Sequence, residues 1–205
     1  MAPTPCAGGA RVRIARVVPA TDLRDRTVLV TDATDGLGRA LAASLAEVRR
    51  MAAEIRARET RLDVLVNNAG IGTTVPGGER RLLSADGHEL RFAVNYLAGY
   101  LLTRELLGLL RASAPARIVD VSSAGQMAID FDDVMLERGY SGVRAYCQSK
   151  LAEGVGATLR LVADPALRDV TGAYFDGTRE ARAEPQAYDA AARRRLAELS
   201  AQLVA

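Results

Sequence analysis

Three short apolar runs, each followed by a helical pattern, set the strongest limit on what this chain can fold into. They are Arg26 to Thr31 (RTVLVT), Leu62 to Asn67 (LDVLVN) and Arg117 to Ser122 (RIVDVS). Each is rich in β-branched residues and shows no polar alternation, as expected of a strand buried on both faces in a parallel sheet. After the first run, Leu37, Leu41, Leu45, Val48, Ala52 and Ile55 recur at helical spacing to about Arg58, which predicts one unbroken helix from Leu37. Leu90 to Leu110 and Val143 to about Val162 predict two more helices, and Asp189 a cap for a last one, Ala190 to about Leu203. Val170 to Phe175 reads as a final strand, weakened by Gly172. Alternating strands and helices predict an α/β fold, a parallel sheet of about four strands covered by helices, in one domain spanning residues 21–205.

Bulk properties remove several classes of function. The net charge is +2 with 25 acidic residues spread among the basic ones, so nucleic acid and anionic membranes are not expected partners. No apolar run approaches a membrane span. Two cysteines, Cys6 and Cys147, and one histidine, His88, make neither a disulfide framework, a metal site nor a Ser-His-Asp triad. Residues 1–20 lack the apolar core of a secretory signal and are expected to form a disordered extension of a cytoplasmic protein.

The chain carries 27 basic side chains, and only Lys150 is a lysine. It lies four residues after Tyr146, so on a helix the ammonium and the phenol share a face. The positive charge favours the phenolate form, which suits this tyrosine to proton transfer near neutral pH.

Further motifs surround this pair. Thr31-Asp32-Ala33-Thr34-Asp35-Gly36-Leu37-Gly38 follows the first strand, where glycines let a backbone approach a pyrophosphate at a helix N-terminus. Asn67-Asn68-Ala69-Gly70 follows the second strand, Asn95 falls within a helix, and Ser122-Ser123 ends the third strand. In this order the set resembles the short-chain dehydrogenase/reductase superfamily, most closely its retinol-dehydrogenase-like members. The resemblance implies a Rossmann-like doubly wound sheet, here shortened, and an oxidoreductase that uses NAD or NADP to reduce a small carbonyl substrate or oxidise the alcohol. It implies Tyr146 as proton donor or base, Lys150 as its electrostatic partner and a holder of the nicotinamide ribose, Ser123 as a hydrogen-bond donor to the substrate oxygen, and Asn95 as anchor of a relay water. Thr31, Asp35, Gly36, Leu37, Gly38, Asn67, Asn68, Ala69 and Gly70 are the further positions implied to hold the cofactor.

The chain departs from that pattern in three places. Asp32 stands where the family has its first glycine, bringing a carboxylate toward the cofactor and losing glycine's freedom at positive φ. Between Gly38 and Asn67 there is one helix where the family has another helix and two strands, and the residue that reads the adenosine ribose has no counterpart. After Lys150, no Pro-Gly substrate loop follows. Two other functions therefore stand beside the oxidoreductase: a non-redox acid–base enzyme on the same scaffold, such as a dehydratase, cyclase or epimerase, and a catalytically inactive binding protein. Loss of flanking strands, with Leu196, Leu199 and Leu203 on one face of the last helix, predicts a homo-oligomer.

Overall fold

The computed structural model describes residues 26–31, 44–73, 80–153, 164–167, 169–176 and 179–205. The expected N-terminal extension, Asp32 and Asp35 to Gly38 lie outside them.

Strands β1 (Val28–Val30), β2 (Val64–Asn67) and β3 (Arg117–Asp120) form a parallel sheet in that spatial order. The register sets Leu29 beside Leu65 and Leu65 beside Ile118, then Val30, Val66 and Val119 in the next row. Because side chains alternate between faces, Leu29 and Leu65 join the main core while Val28, Val64, Val66 and Val119 form a second, smaller cluster on the other side. β2, flanked on both sides, is buried at all four residues. No described strand lies between β1 and β2, in accord with a single crossover.

Helix α1 is Leu45–Arg58, and it does not run unbroken from Leu37. Ser44 is its N-cap, with extended backbone (φ −161°, ψ 157°) and Oγ accepting the Glu47 amide at 3.3 Å. Ser-x-x-Glu is the capping-box pattern, and the Leu45 amide is also taken, by Asp86 Oδ2 at 2.8 Å. A helix therefore starts here even though the leucine spacing stays in phase across the break. Leu45, Val48 and Ala52 form its buried face.

Helix α2 covers residues 90–112. It is α-helical over Leu90–Phe92, a π-helix over Ala93–Leu97, and α-helical again over Ala98–Ala112. Leu101, Leu102, Leu106 and Leu110 of α2 pack with α1 in the main core. Helix α3 is Gly142–Glu153.

The expected final strand does not join the parallel sheet. Strand β4 (Tyr174–Asp176) pairs antiparallel with β5 (Arg179–Ala181) as a local hairpin. The chain is still turning at Val170, whose amide donates to Leu167 O at 3.1 Å, and again at Gly172, where φ is +65°. Only the residues after these turns are extended, and their backbone groups find partners a few residues away rather than across the sheet.

Helix α4 (Ala190–Leu203) is capped by Asp189, whose Oδ1 accepts the Ala191 amide at 2.8 Å. Its Leu196, Leu199 and Leu203 pack against the main core. They are partly buried there, so much of the apolar face expected to meet a partner packs within the chain. Ser200 Oγ donates to Leu196 O at 2.6 Å and so accepts from Tyr96 Oη at 2.7 Å, tying α4 to α2. Burial pushes the Tyr96 phenol up to about 12, which keeps that donor protonated. Among the described residues, no helix is long and apolar enough to cross a membrane.

Candidate active site

Thr31, Asn67 and Asp120 continue the sheet face of Leu29, Leu65 and Ile118 by one step, at the C-terminal ends of the strands, where open α/β sheets bind ligands. Thr31 Oγ1 accepts the amides of Asn68 and Ala69, both at 2.9 Å, and Asn68 Nδ2 donates to Thr31 O at 3.1 Å. The end of β1 thus fixes the backbone of the Asn67–Gly70 turn. Asn67 Nδ2 donates to Asp120 Oδ1 at 2.7 Å and to Thr103 Oγ1 at 3.0 Å. α2 can approach this closely because it carries Gly99, where an added Cβ would stand 3.3 Å from Asn67 Cγ.

Asn67 Oδ1 is buried without a hydrogen-bond partner. Beside it is a cavity of about 10 Å³ lined by Thr31, Asn67, Ala69, Asn95 and Gly99 among others, close to the space one water needs. Burial raises the Asp120 carboxyl above the usual carboxylate range, and the Asn67 hydrogen bond opposes that shift. A raised carboxyl binds its proton more tightly in the folded state, so stability falls as pH rises from the unfolded value of about 4 through the folded one. Asp120→Asn keeps an acceptor for Asn67 and removes the buried charge. It should raise the melting temperature by a few degrees at pH 7 and have no such effect below about pH 3, where the wild-type carboxyl is neutral in both states. An equal change at both pH values would show that the charge is not responsible.

Asn95 lies within the π-helical turn and is buried. Its Oδ1 accepts the Ile71 amide at 2.7 Å, and its Nδ2 donates to Ile71 O at 3.1 Å and Ser149 Oγ at 3.0 Å. Both amide hydrogens are committed, which leaves one Oδ1 lone pair for a relay water. Ser149 Oγ donates in turn to Tyr146 O at 2.8 Å, so Asn95 and the Tyr146 turn of α3 share one network. Lys150 Nζ donates to Val121 O at 3.1 Å, just past β3. A Cβ at Gly70 would lie 3.1 Å from Lys150 Nζ and 3.2 Å from Asn95 Oδ1. Gly70, Asn95 and Lys150 therefore meet at one place, where a side chain on residue 70 would press on its neighbours. Gly70→Ala should shift the ammonium by a few tenths of an ångström and, if Lys150 serves a reaction, lower its turnover, with little change in melting because the lysine side chain can give. Unaltered kinetics would separate Lys150 from the reaction.

The two serines after β3 differ. Ser122 Oγ donates to Lys150 O at 2.5 Å and serves the helix. Ser123 Oγ accepts the Gly125 amide at 3.1 Å, and among the described residues its hydroxyl hydrogen has no protein acceptor. Tyr146 is half-buried on α3, and its hydroxyl also has no protein partner among the described residues. Ser149, Thr103 and Asp120 had no signal in the sequence, since their partners lie 36 to 54 residues away. No group of His, Cys, Asp or Glu among the described residues could hold a metal ion.

A parallel sheet, with the helix of Tyr146 and Lys150 reaching the end of β3 through Lys150, defines a Rossmann-like α/β fold. The short chain dehydrogenase family model matches residues 43–154, more than half of the chain, and the chain belongs to that family. Its relatives are retinol dehydrogenases. It is 34% identical to human retinol dehydrogenase 13 over 224 aligned positions, covering 79% of this chain and 66% of that one. It is 46% identical to human retinol dehydrogenase 14 over 112 residues, covering 54% of this chain and 32% of that one. The chain thus spans about two-thirds and one-third of the length of these relatives. The 224 positions exceed the chain's 205 residues, so the alignment bridges segments that this chain lacks. Among solved structures, that of an uncharacterized protein from Mycobacterium Paratuberculosis matches with a TM-score of 0.57 and 27% identity, covering 80% of this chain and 73% of that one.

Proposed function

We propose that the chain is an NAD(P)-dependent oxidoreductase acting on a small carbonyl or alcohol. The observation that carries this reading is the convergence of Lys150 Nζ, Asn95 and Gly70 at the strand ends, with Lys150 on the helix that bears Tyr146 one turn earlier. The described residues suit a nicotinamide cofactor: Gly70 puts no side chain between the turn and the Lys150 ammonium, and the Asn67–Gly70 backbone is pinned by Thr31. Lys150, Asn67, Asn68, Ala69 and Gly70 would hold it, and Thr31 would shape the turn they form. When bound, a nicotinamide supplies or accepts the hydride.

The remaining chemistry belongs to the chain's own side chains. Tyr146 Oη delivers a proton to the carbonyl oxygen in reduction and removes it in oxidation. Ser123 Oγ donates a hydrogen bond to the same oxygen with the hydrogen it does not spend on protein. Lys150, anchored on Val121 O, keeps a positive charge on the Tyr146 face of α3. Asn95 holds Ile71 and, through Ser149, the backbone of Tyr146.

Calorimetric titration with NADH and NADPH tests the reading, since the chain has no tryptophan to quench. Binding of either is expected, weakened by the Asp32 carboxylate facing phosphate charge and tightened in Asp32→Gly. High salt should relieve part of the repulsion. No binding by either protein would remove the redox reading and leave a non-redox acid–base reaction.

A further inference from the structure

After the Asn67–Gly70 turn the chain runs along α2, and two side chains of that helix, four residues apart on one face, grip it in succession. Asn95 holds Ile71 at both its amide and its carbonyl. Arg91 holds the next two residues: Nε donates to Gly72 O at 3.0 Å and Nη2 to Thr73 O at 2.8 Å. The third arm of the guanidinium, Nη1, donates to Tyr140 Oη at 2.6 Å. Tyr140 Oη donates in turn to Glu89 Oε1 at 3.1 Å, while Glu89 Oε2 accepts the Phe92 amide at 2.8 Å. Arg91 and Glu89 face each other at 3.8 Å, with side chains 0% and 1% exposed. Tyr140 lies two residues before α3, the helix that carries Tyr146 and Lys150.

A buried ion pair adds little net stability compared with apolar side chains of the same shape, because both ions must first be desolvated. Apolar side chains, however, could not hold two consecutive carbonyls and a phenol in one plane, which a guanidinium fork does. The cluster therefore acts through geometry. It joins three pieces of chain: the segment after Gly70, the helix of Asn95 and the entry to the helix of Tyr146. We infer that Arg91, braced by Glu89 and Tyr140, is a positioning residue that fixes residues 71–73 and the start of α3 in one frame with Asn95. Arg91 itself has no solvent contact, so it acts through the backbone it holds and touches no ligand. Only the effect on turnover rests on the oxidoreductase reading.

Amide hydrogen exchange tests the inference without cofactor. The reporters are Ile71, whose amide donates to Asn95, and Ala145 in the first turn of α3, whose amide donates to Ser141 O. The Val64 to Val66 amides of β2 serve as the internal reference. In Arg91→Met, Ile71 should exchange about tenfold faster than in wild type after correction for any change in β2. Arg91→Lys keeps the charge but not the fork, and should show a smaller excess. Tyr140→Phe keeps the ring and the ion pair, and should speed Ala145 more than β2. Should Arg91→Met not fold, the two milder variants carry the test. If Ile71 and Ala145 rise only in step with β2, or not at all, the cluster is a general stabiliser and the inference is overturned. With a wild type that binds NADPH, Arg91→Lys should also lower kcat/KM beyond its effect on melting. A wild type that binds neither cofactor refutes the functional reading alone, and the exchange experiment still decides the role of Arg91.

Discussion

Tyr146→Phe should lose about 100- to 10,000-fold in carbonyl reduction, the range associated with removing a general acid, while NAD(P)H affinity and the melting curve stay close to wild type. The two halves of that expectation have separate causes. In the proposed reaction turnover falls because the phenol hydrogen is the one delivered to the carbonyl oxygen, and Ser123 would polarise that oxygen without supplying a proton at the same position. The fold is spared because Tyr146 Oη has no protein partner among the described residues, so its removal leaves no buried group unpaired. Steady-state kinetics and a thermal melt on the same preparation give both readings. Retained turnover would place the proton donor elsewhere, and a large loss of stability would mean that the hydroxyl serves the fold.

Asn95→Ala should be strongly destabilising. Asn95 is buried, and its amide supplies both partners of the Ile71 backbone and one of Ser149. Each buried polar group left unpaired costs roughly 1–3 kcal/mol, and after relaxation a total of about 2–4 kcal/mol is expected. For a chain of this size that corresponds to a fall in melting temperature of about 5–15 °C. Asn95→Asp separates the contributions. It keeps an acceptor for the Ile71 amide, loses both donated bonds, and brings a negative charge toward Lys150, which an added Cβ at Gly70 shows to be close by. A melt within about 1 °C of wild type for Asn95→Ala would mean that the Ile71 segment finds other partners, since so small a shift is well under 1 kcal/mol.

Much of the fold could be read from the sequence because its decisive signals are local. RTVLVT, LDVLVN and RIVDVS mark extended segments, and β1, β2 and β3 fall inside them, but only β2 is buried on both faces; Val30 on β1 and Ile118 on β3 are exposed. Asp189 announced the cap of α4 through the chemistry of one side chain. The start of α1 was misjudged because helical periodicity does not register a break that preserves phase. Leu37 to Ile55 stay in step in the sequence, yet the Ser44 and Glu47 pair sets the start of α1 at Leu45, and residues 37–43 lie outside the described residues. The last strand was misassigned because a short apolar run does not say whether its partner lies in the sheet or a few residues ahead. At the candidate site, the spacing of Tyr146 and Lys150 placed them on one helix, and α3 carries both. Their surroundings were not legible: Asn95 meets Ile71 and Ser149 across 24 and 54 residues, and Arg91 reads in the sequence as an ordinary helix arginine although it is wholly buried.

The agreement between strand order in space and strand order in the chain bears on how the sheet assembles. Among the described residues, β2 adds beside β1, and β3 adds to the free edge of β2. No described strand has to slot between two others that are already paired, so the sheet can grow from one side, each pairing available as soon as its own segment is. The pairings each close a long loop, 36 residues from Val28 to Val64 and 53 from Val64 to Arg117, which slows the search, but none has to be undone to admit the next. They also suit assembly during synthesis, because the part made first already presents the edge on which the next part docks.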